Sequence, residues 1–300
     1  MYPIVSLFGL SLGTYGICCV IGGALAIRLA IRNGKRFQQD RFAMLEACVW
    51  ALIGGLLGAK LLYLLVSFSD IVEMFQTSGF NWNTISSLLE GGFVFYGGLL
   101  GGLAALLLYL HHFQLPYGVY LSSITPAIPL AHAFGRIGCF FAGCCYGIPY
   151  DPPIGICLKN AIGTAPTDIP LFPVQLLESG LNLLLAGLLQ LCFRKRIRKT
   201  NVIPFYCIGY AGIRLFTERF RYDTERGIYF GLATSEWISL ALAICGVLLL
   251  LAQVQVGMRQ RHQELVVWRT LGAGKSLLRA TLWAEFALLG LVSGLVAAIG

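Results

Sequence analysis

Eight apolar stretches, each close to the length of a bilayer crossing, divide this chain, and three clusters of basic residues fall in alternate gaps between them. A helix needs about 20 mainly apolar residues to cross the hydrocarbon core. The stretches lie near 4–30, 44–66, 93–112, 117–134, 173–193, 203–217, 236–256 and 281–300. With 57% hydrophobic residues, only 12% charged and a mean hydropathy of +0.75, the chain is not composed as a water-soluble domain. Disorder, a collagen-like repeat and a small disulfide scaffold are excluded on the same ground. The expected fold class is all-α, a polytopic transmembrane helical protein with a seven-helix core and one appended helix.

The net charge of +8 comes mostly from three groups: Arg28, Arg32, Lys35, Arg36 and Arg41; Arg194, Lys195, Arg196, Arg198 and Lys199; Arg259, Arg261, Arg269, Lys275 and Arg279. If the N-terminus is outside, parity puts all three on the cytoplasmic side, and leaves the acidic connection 67–92 and the polar stretch 134–172 outside. The charge therefore reads as topology and contact with membrane lipids, with no nucleic acid implied. The first stretch lacks a cleavage site and reads as an uncleaved spanning helix. Pro126 and Pro129 weaken the fourth span, and the sixth is short. No internal repeat is evident.

Three segments carry candidate chemistry. HAFGRIGCFFAGCCYG (His132 to Gly147) sets Arg136 between glycines at the end of a span, and a guanidinium at such depth calls for an anionic partner. Its planar fork suits a phosphate, although a structural salt bridge or snorkelling would also account for it. YAGIRLFTERFRYDTERG (Tyr210 to Gly227) places Arg214, Glu218 and Arg221 on one helical face, either as a self-neutralising ladder or as a wall of a charged cleft. GGLLGAKLLY (Gly54 to Tyr63) and FYGGLLGG (Phe95 to Gly102) hold glycines that allow close helix approach. Lys60 reads equally as a snorkelling cation, and His111 and His112 as headgroup anchors.

Several readings stay open for Cys139, Cys144 and Cys145: apolar packing, a disulfide, a metal site with His132, or a reactive thiol. His132 by itself reads more readily as a satisfied interfacial histidine than as a base. The other span cysteines (Cys18, Cys19, Cys48, Cys192, Cys207 and Cys245) read as core. GAGKS (Gly272 to Ser276) lacks the spacing and preceding strand of a phosphate-binding loop, so no nucleotide is expected.

Residues 1–250 resemble the prolipoprotein diacylglyceryl transferases of bacterial inner membranes. The resemblance runs in order through LGTYGICCVIGGALAIRLA, GGLLGAKLLY, FYGGLLGG, the GRIG core, FPVQLLES (Phe172 to Ser179) and the Arg214-to-Glu218-to-Arg221 segment. It implies transfer of the diacylglyceryl group of phosphatidylglycerol to the thiol of a lipobox cysteine in a prolipoprotein, giving a thioether and releasing glycerol phosphate. It also implies a periplasmic N-terminus and an active site open to the outer leaflet. Arg136 would hold the phosphate, and Arg214, held by Glu218, would be a second clamp or help activate the thiol. Gly97, Gly98, Gly135, Gly138, Gly147, Tyr15, Tyr210 and Arg221 join Arg136 as expected substrate contacts. No metal or soluble cofactor is implied, because the lipid itself supplies the transferred group.

Three features depart from the family's best-known pattern. Tyr96 replaces a histidine before the paired glycines, Cys139 an asparagine three residues after the motif arginine, and the downstream AGCC (Ala142 to Cys145) an asparagine and a glutamate. The general base is thereby unassigned; Tyr96 would serve as one only with a pKa well below about 10, or else as a hydrogen-bond donor.

From about Leu251 the sequence changes character. RHQELVVWRTLGAGKSLLRATLWAEFALLGLVSGLVAAIG resembles the FtsX-like permease domain of ABC exporters. Residues 251–300 are therefore expected to be a permease fragment, a basic cytoplasmic segment plus one helix. It would have arisen by fusion, by engineering or through a misdrawn gene boundary, and offers a possible contact for an exporter ATPase. A non-catalytic membrane subunit that binds anionic lipid or such an exporter is the alternative for the whole chain.

Overall fold

The computed structural model describes residues 3–7, 10–90, 94–158, 161, 165–195, 202–222 and 228–270, with isolated positions beyond. It falls into two compact units, Met1–Gly246 and Val247–Gly300.

The first unit does not open with a spanning helix at residue 4. Ile4–Leu7 (β1) and Leu10–Gly13 (β2) pair as an antiparallel hairpin, and the helix α1 begins only at Thr14, ending at Gly34. Asp40 then caps α2 (Arg41–Val66) by accepting a hydrogen bond from Ala43 N at 2.9 Å, satisfying one of the orphan donors of the first turn. The connection expected as a loop holds two short amphipathic helices, α3 (Phe68–Ser78) and α4 (Trp82–Glu90). Phe68, Phe80 and Trp82 are exposed there, as befits segments lying in a bilayer interface.

Helix α5 spans Phe95–His112. Its glycines meet those of α2: a Cβ at Gly54 or Gly58 would strike the backbone of α5, and one at Gly97 or Gly101 the backbone of α2. Small residues let two backbones touch in lipid, where dispersion and not water exclusion holds helices together.

The expected fourth span is two helices, α6 (Tyr117–Ile124) and α7 (Ala127–Ala142), parted at Thr125 and Pro126. Pro126 lacks an N–H, and so interrupts the ladder, whereas Pro129 sits in the first turn of α7 where no donor is needed. Helix α7 runs on past residue 134, so Arg136 lies inside a helix and not beyond its end.

Helix α8 (Val174–Lys195) follows, then α9 (Ile203–Glu218). Ile228–Tyr229 (β3) and Leu232–Ala233 (β4) form a second hairpin before α10, Thr234–Thr270. The seventh span and residues 257–270 of the basic segment after it therefore belong to one helix. The eighth expected span lies outside the described residues.

Among the described residues, four helices are long and apolar enough to cross a membrane: Thr14–Phe37, Arg41–Val66, Val174–Arg194 and Thr234–Arg259. Exposed leucines such as Leu56, Leu57, Leu61 and Leu65 line α2, the pattern of a helix solvated by acyl chains. The protein is thus an all-α, multi-pass membrane protein. Its core gathers Ala30, Met44, Ala47, Leu106, Leu110, Tyr120 and Ala127 from α1, α2, α5, α6 and α7. A reciprocal amide pair ties α1 to α8: Asn33 Nδ2 donates to Gln190 Oε1 at 3.0 Å, and Gln190 Nε2 to Asn33 Oδ1 at 2.8 Å.

Candidate active site

Helix α8 is apolar on one side and polar on the other. Gln175, Glu178 and Asn182, at i, i+3 and i+7, are all buried, while Leu176, Leu183, Leu184 and Leu188 are exposed. Helical spacing places the three polar side chains on one face, which packs against α7 and α9. A buried carboxylate is costly without cations around it, and Glu178 has three.

Arg136 Nε from α7 lies 3.0 Å from Glu178 Oε1. Arg214 Nη1 from α9 is 3.9 Å from Glu178 Oε2, and Arg221 Nη1 is 3.8 Å from the same oxygen. Arg214 also pairs with Glu218 through Nη2 at 2.7 Å. His132 Nε2, one turn before Arg136, stands 3.6 Å from Glu178 Oε1, with its ring tilted over Tyr210 at 5.3 Å. Glu178 is 1% exposed, Arg214 8% and Arg136 14%.

Among the described residues, three guanidiniums surround the Glu178 carboxylate, and Glu218 pairs with one of them. Arg136 Nε, Arg214 Nη1 and Glu178 Oε1 are close as ions but lack hydrogen-bond partners in good geometry, so the forks retain donor capacity. A cationic, partly unsatisfied, water-poor cluster is suited to a monoanionic phosphodiester.

Arg214, Glu218 and Arg221 converge as the spacing suggested, by a different route for the last. Helix α9 ends at Glu218; a turn with Arg221 N donating to Glu218 O at 3.1 Å carries Arg221 into a bridge with Gly147. Gly147 is confined there, because a Cβ would meet the carbonyl oxygens of Phe172 and Phe220. Tyr96 on α5 stands within electrostatic reach of Arg214, Glu218 and Arg221. A Cβ on Gly138 would meet Tyr15 of α1 at 2.9 Å, whereas Gly135 has open space around its Cα. Gly97 and Gly98 face α2 and have a packing explanation. Lys60 donates to Leu88 O and lies over the Tyr63 ring.

Glu178 and Gln175 are the residues that the motif reading passed over. Their signal is present in the sequence, as polar residues at helical spacing within an apolar span, but it does not say which cations they meet.

Beyond α7, Gly143 (φ 72°) and Cys145 (φ 56°) turn the chain back on itself, and Gln175 Nε2 donates to Cys144 O at 2.9 Å. The Sγ atoms of Cys139, Cys144 and Cys145 lie within 4.8 Å of one another; His132 is not among them. Hydrogen bonds from the Cys139 thiol, then from the Cys144 thiol, hold Cys145 well below the ordinary thiol range, with Arg136 and Arg221 adding to the effect. All three are free thiols.

A family model described as prolipoprotein diacylglyceryl transferase matches residues 3–252. The phosphatidylglycerol–prolipoprotein diacylglyceryl transferase of Clostridium tetani is 35% identical over 248 residues, covering 82% of this chain and 96% of that protein. Transferase 2 of that name from Clostridium perfringens is 32% identical over 245 residues, covering 81% and 91%. A separate similarity, 89% identical over 56 residues, is to the ABC transporter permease YbbP of Escherichia coli, and covers 19% of this chain and 7% of that protein.

Proposed function

The chain belongs to the prolipoprotein diacylglyceryl transferase family, and we propose that the arginines gathered on Glu178 are where it performs that family's reaction. It transfers the diacylglyceryl group of phosphatidylglycerol to the lipobox cysteine of a prolipoprotein. The observation that carries the assignment of the site is the convergence of Arg136, Arg214 and Arg221 on the buried carboxylate of Glu178, with Arg136 Nε and Arg214 Nη1 lacking hydrogen-bond partners there.

The chemistry asks for more than binding. When the glyceryl C–O bond breaks, the departing glycerol phosphate gains a second negative charge, so cations fixed in place stabilise the transition state more than the bound lipid. Arg136 and Arg214 are the two forks with unused donors, and they hold the phosphate oxygens. Glu178 keeps the guanidiniums from repelling one another apart, and Glu218 sets the orientation of Arg214. Tyr96 donates a hydrogen bond to the phosphate; Tyr15, Tyr210 and the open side of Gly135 border the lipid. The basic clusters lie on the cytoplasmic side, the N-terminus is periplasmic, and the site opens to the outer leaflet.

Residues 251–300 are an appended permease-like piece with no part in the transfer. If that piece instead recruits an exporter ATPase, copurification of the full chain with an ATPase will reveal it.

The test is incorporation of labelled diacylglyceryl from phosphatidylglycerol into a lipobox peptide. Product is expected from the full chain and is expected to vanish in Arg136→Ala. Since that variant removes the guanidinium nearest Glu178, Arg136→Lys is measured beside it: it keeps the charge but not the bidentate fork, and is expected to lose about 10- to 100-fold. Undiminished transfer in both variants would remove Arg136 from the site.

A further inference from the structure

We infer that Cys139, Cys144 and Cys145 form a three-thiolate site for a zinc ion, and that the ion's fourth position takes the prolipoprotein thiol. The second part rests on the transferase reading; the first does not.

The geometry is that of a nearly closed site. Thiolates about 2.3 Å from a tetrahedral zinc stand roughly 3.8 Å apart, and these three sulfurs already lie within 4.8 Å of one another. The backbone is built to bring them there. Cys139 is on the last turn of α7, and the left-handed conformations at Gly143 and Cys145 fold residues 144 and 145 back over it. Cys144 N donates to Cys139 O at 3.2 Å, and the buried Gln175 fastens the carbonyl of Cys144. A β-carbon-bearing residue held at positive φ is uncommon, and its presence at Cys145 requires surroundings that fix it. Simple packing of small side chains needs neither that conformation nor three sulfurs turned towards one another.

The charges agree. Three thiolates around Zn²⁺ carry one net negative charge, and the guanidiniums of Arg136 and Arg221 interact with the cluster, the sign of neighbour such a site calls for. Cys139 is buried while Cys144 and Cys145 are half-buried, which leaves one side accessible. Among the described residues the cluster supplies three donors and no fourth, the arrangement of zinc sites that keep an exchangeable position.

That position meets a need of the reaction. A free thiol is only a few per cent ionised near neutrality, and coordination to zinc removes its proton outright. The prolipoprotein thiol displaces water from the ion and releases its proton to solvent. Its sulfur then attacks the glyceryl carbon, forming C–S as the C–O bond to phosphate breaks. The electron pair of that bond departs on the phosphate oxygen held by the arginines, and the resulting phosphate monoester takes up a proton according to pH. The neutral thioether is a weaker ligand and leaves. No oxidant or reductant is involved. Gln175 and Glu178, one turn apart on α8, fasten the thiol turn and the arginine cluster side by side, so nucleophile and leaving-group sites are set by one helix.

The full chain, purified in detergent with its thiols reduced, is titrated with zinc and with cobalt. One ion per chain is expected, with intense thiolate-to-cobalt charge-transfer absorption. Cys144→Ser and Cys145→Ser are each expected to weaken binding at least tenfold, while Cys157→Ser, an exposed cysteine elsewhere, binds as the parent does. Adding a lipobox peptide should raise the charge-transfer intensity by about one third, as three thiolates become four, and the serine version of the peptide should leave it unchanged. Absence of stoichiometric metal, or a disulfide within the cluster under native conditions, overturns the site. Full transfer by protein shown to be free of metal overturns thiol activation and leaves the arginine assignment standing. A metal-loaded chain with the cobalt signature but no transfer overturns the transferase reading and supports the metal site.

Discussion

Glu178 is the residue on which the charged cluster depends, since its carboxylate faces Arg136, Arg214 and Arg221 together. Removing one partner of a buried pair leaves charge uncompensated, at a cost of about 3–5 kcal/mol. Glu178→Gln is therefore expected to lower the melting temperature in detergent and to reduce transfer at least tenfold. Added phosphatidylglycerol should raise its melting temperature more than that of the parent, because the phosphate replaces the lost negative charge; an equal response would separate the lipid from the cluster. Arg136, Arg214 and Glu218 could be named from their motifs; Glu178 could not, because a carboxylate in an apolar span announces a partner without naming it.

Helix pairs supply the next scale. The α2–α5 contact is backbone on backbone, and a Cβ at Gly101 would meet Gly58 Cα at 2.8 Å. Overpacking of this kind costs about 1–3 kcal/mol, so Gly101→Ala should lower the melting temperature. Gly135→Ala adds its Cβ to open space and removes a helix-interior glycine, a change worth roughly 0.5–1 kcal/mol in the stabilising direction. It should hold or raise the melting temperature, while a rise in KM for phosphatidylglycerol would mark Gly135 as a lipid contact. The two glycine motifs look alike in sequence; only the neighbours of each Cα distinguish a helix seam from an open face. Element boundaries show the same limit. The sequence marks where apolar segments begin and end but not that residues 4–13 pair as a hairpin, nor that α7 continues to Ala142.

At the scale of the whole molecule, the three basic clusters predict one orientation. In intact spheroplasts a membrane-impermeant thiol reagent should reach Cys157, which is exposed in the connection after α7, whereas a cysteine introduced as Gln38→Cys should react only after permeabilisation. The reverse pattern would invert the topology. The family match ends at residue 252 and the first compact unit at Gly246, so a chain stopped after Ala252 is expected to retain transfer to within about twofold. Loss of activity there, with the truncated chain folded, would make the appended segment part of the enzyme.

The sequence by itself determined the solvent of this protein, its helical class and its family, because apolar length, charge asymmetry and motif order are properties of the chain read in a line. It also determined that Arg136 and Arg214 need anionic company. What only the tertiary structure decided is which groups meet. Glu178 from α8, Arg136 from α7, and Arg214 and Arg221 from α9 and the turn after it become one cluster because buried charges must compensate one another across helices. Three cysteines become one site because the turn at Gly143 and Cys145 brings back side chains that a straight helix would have carried away.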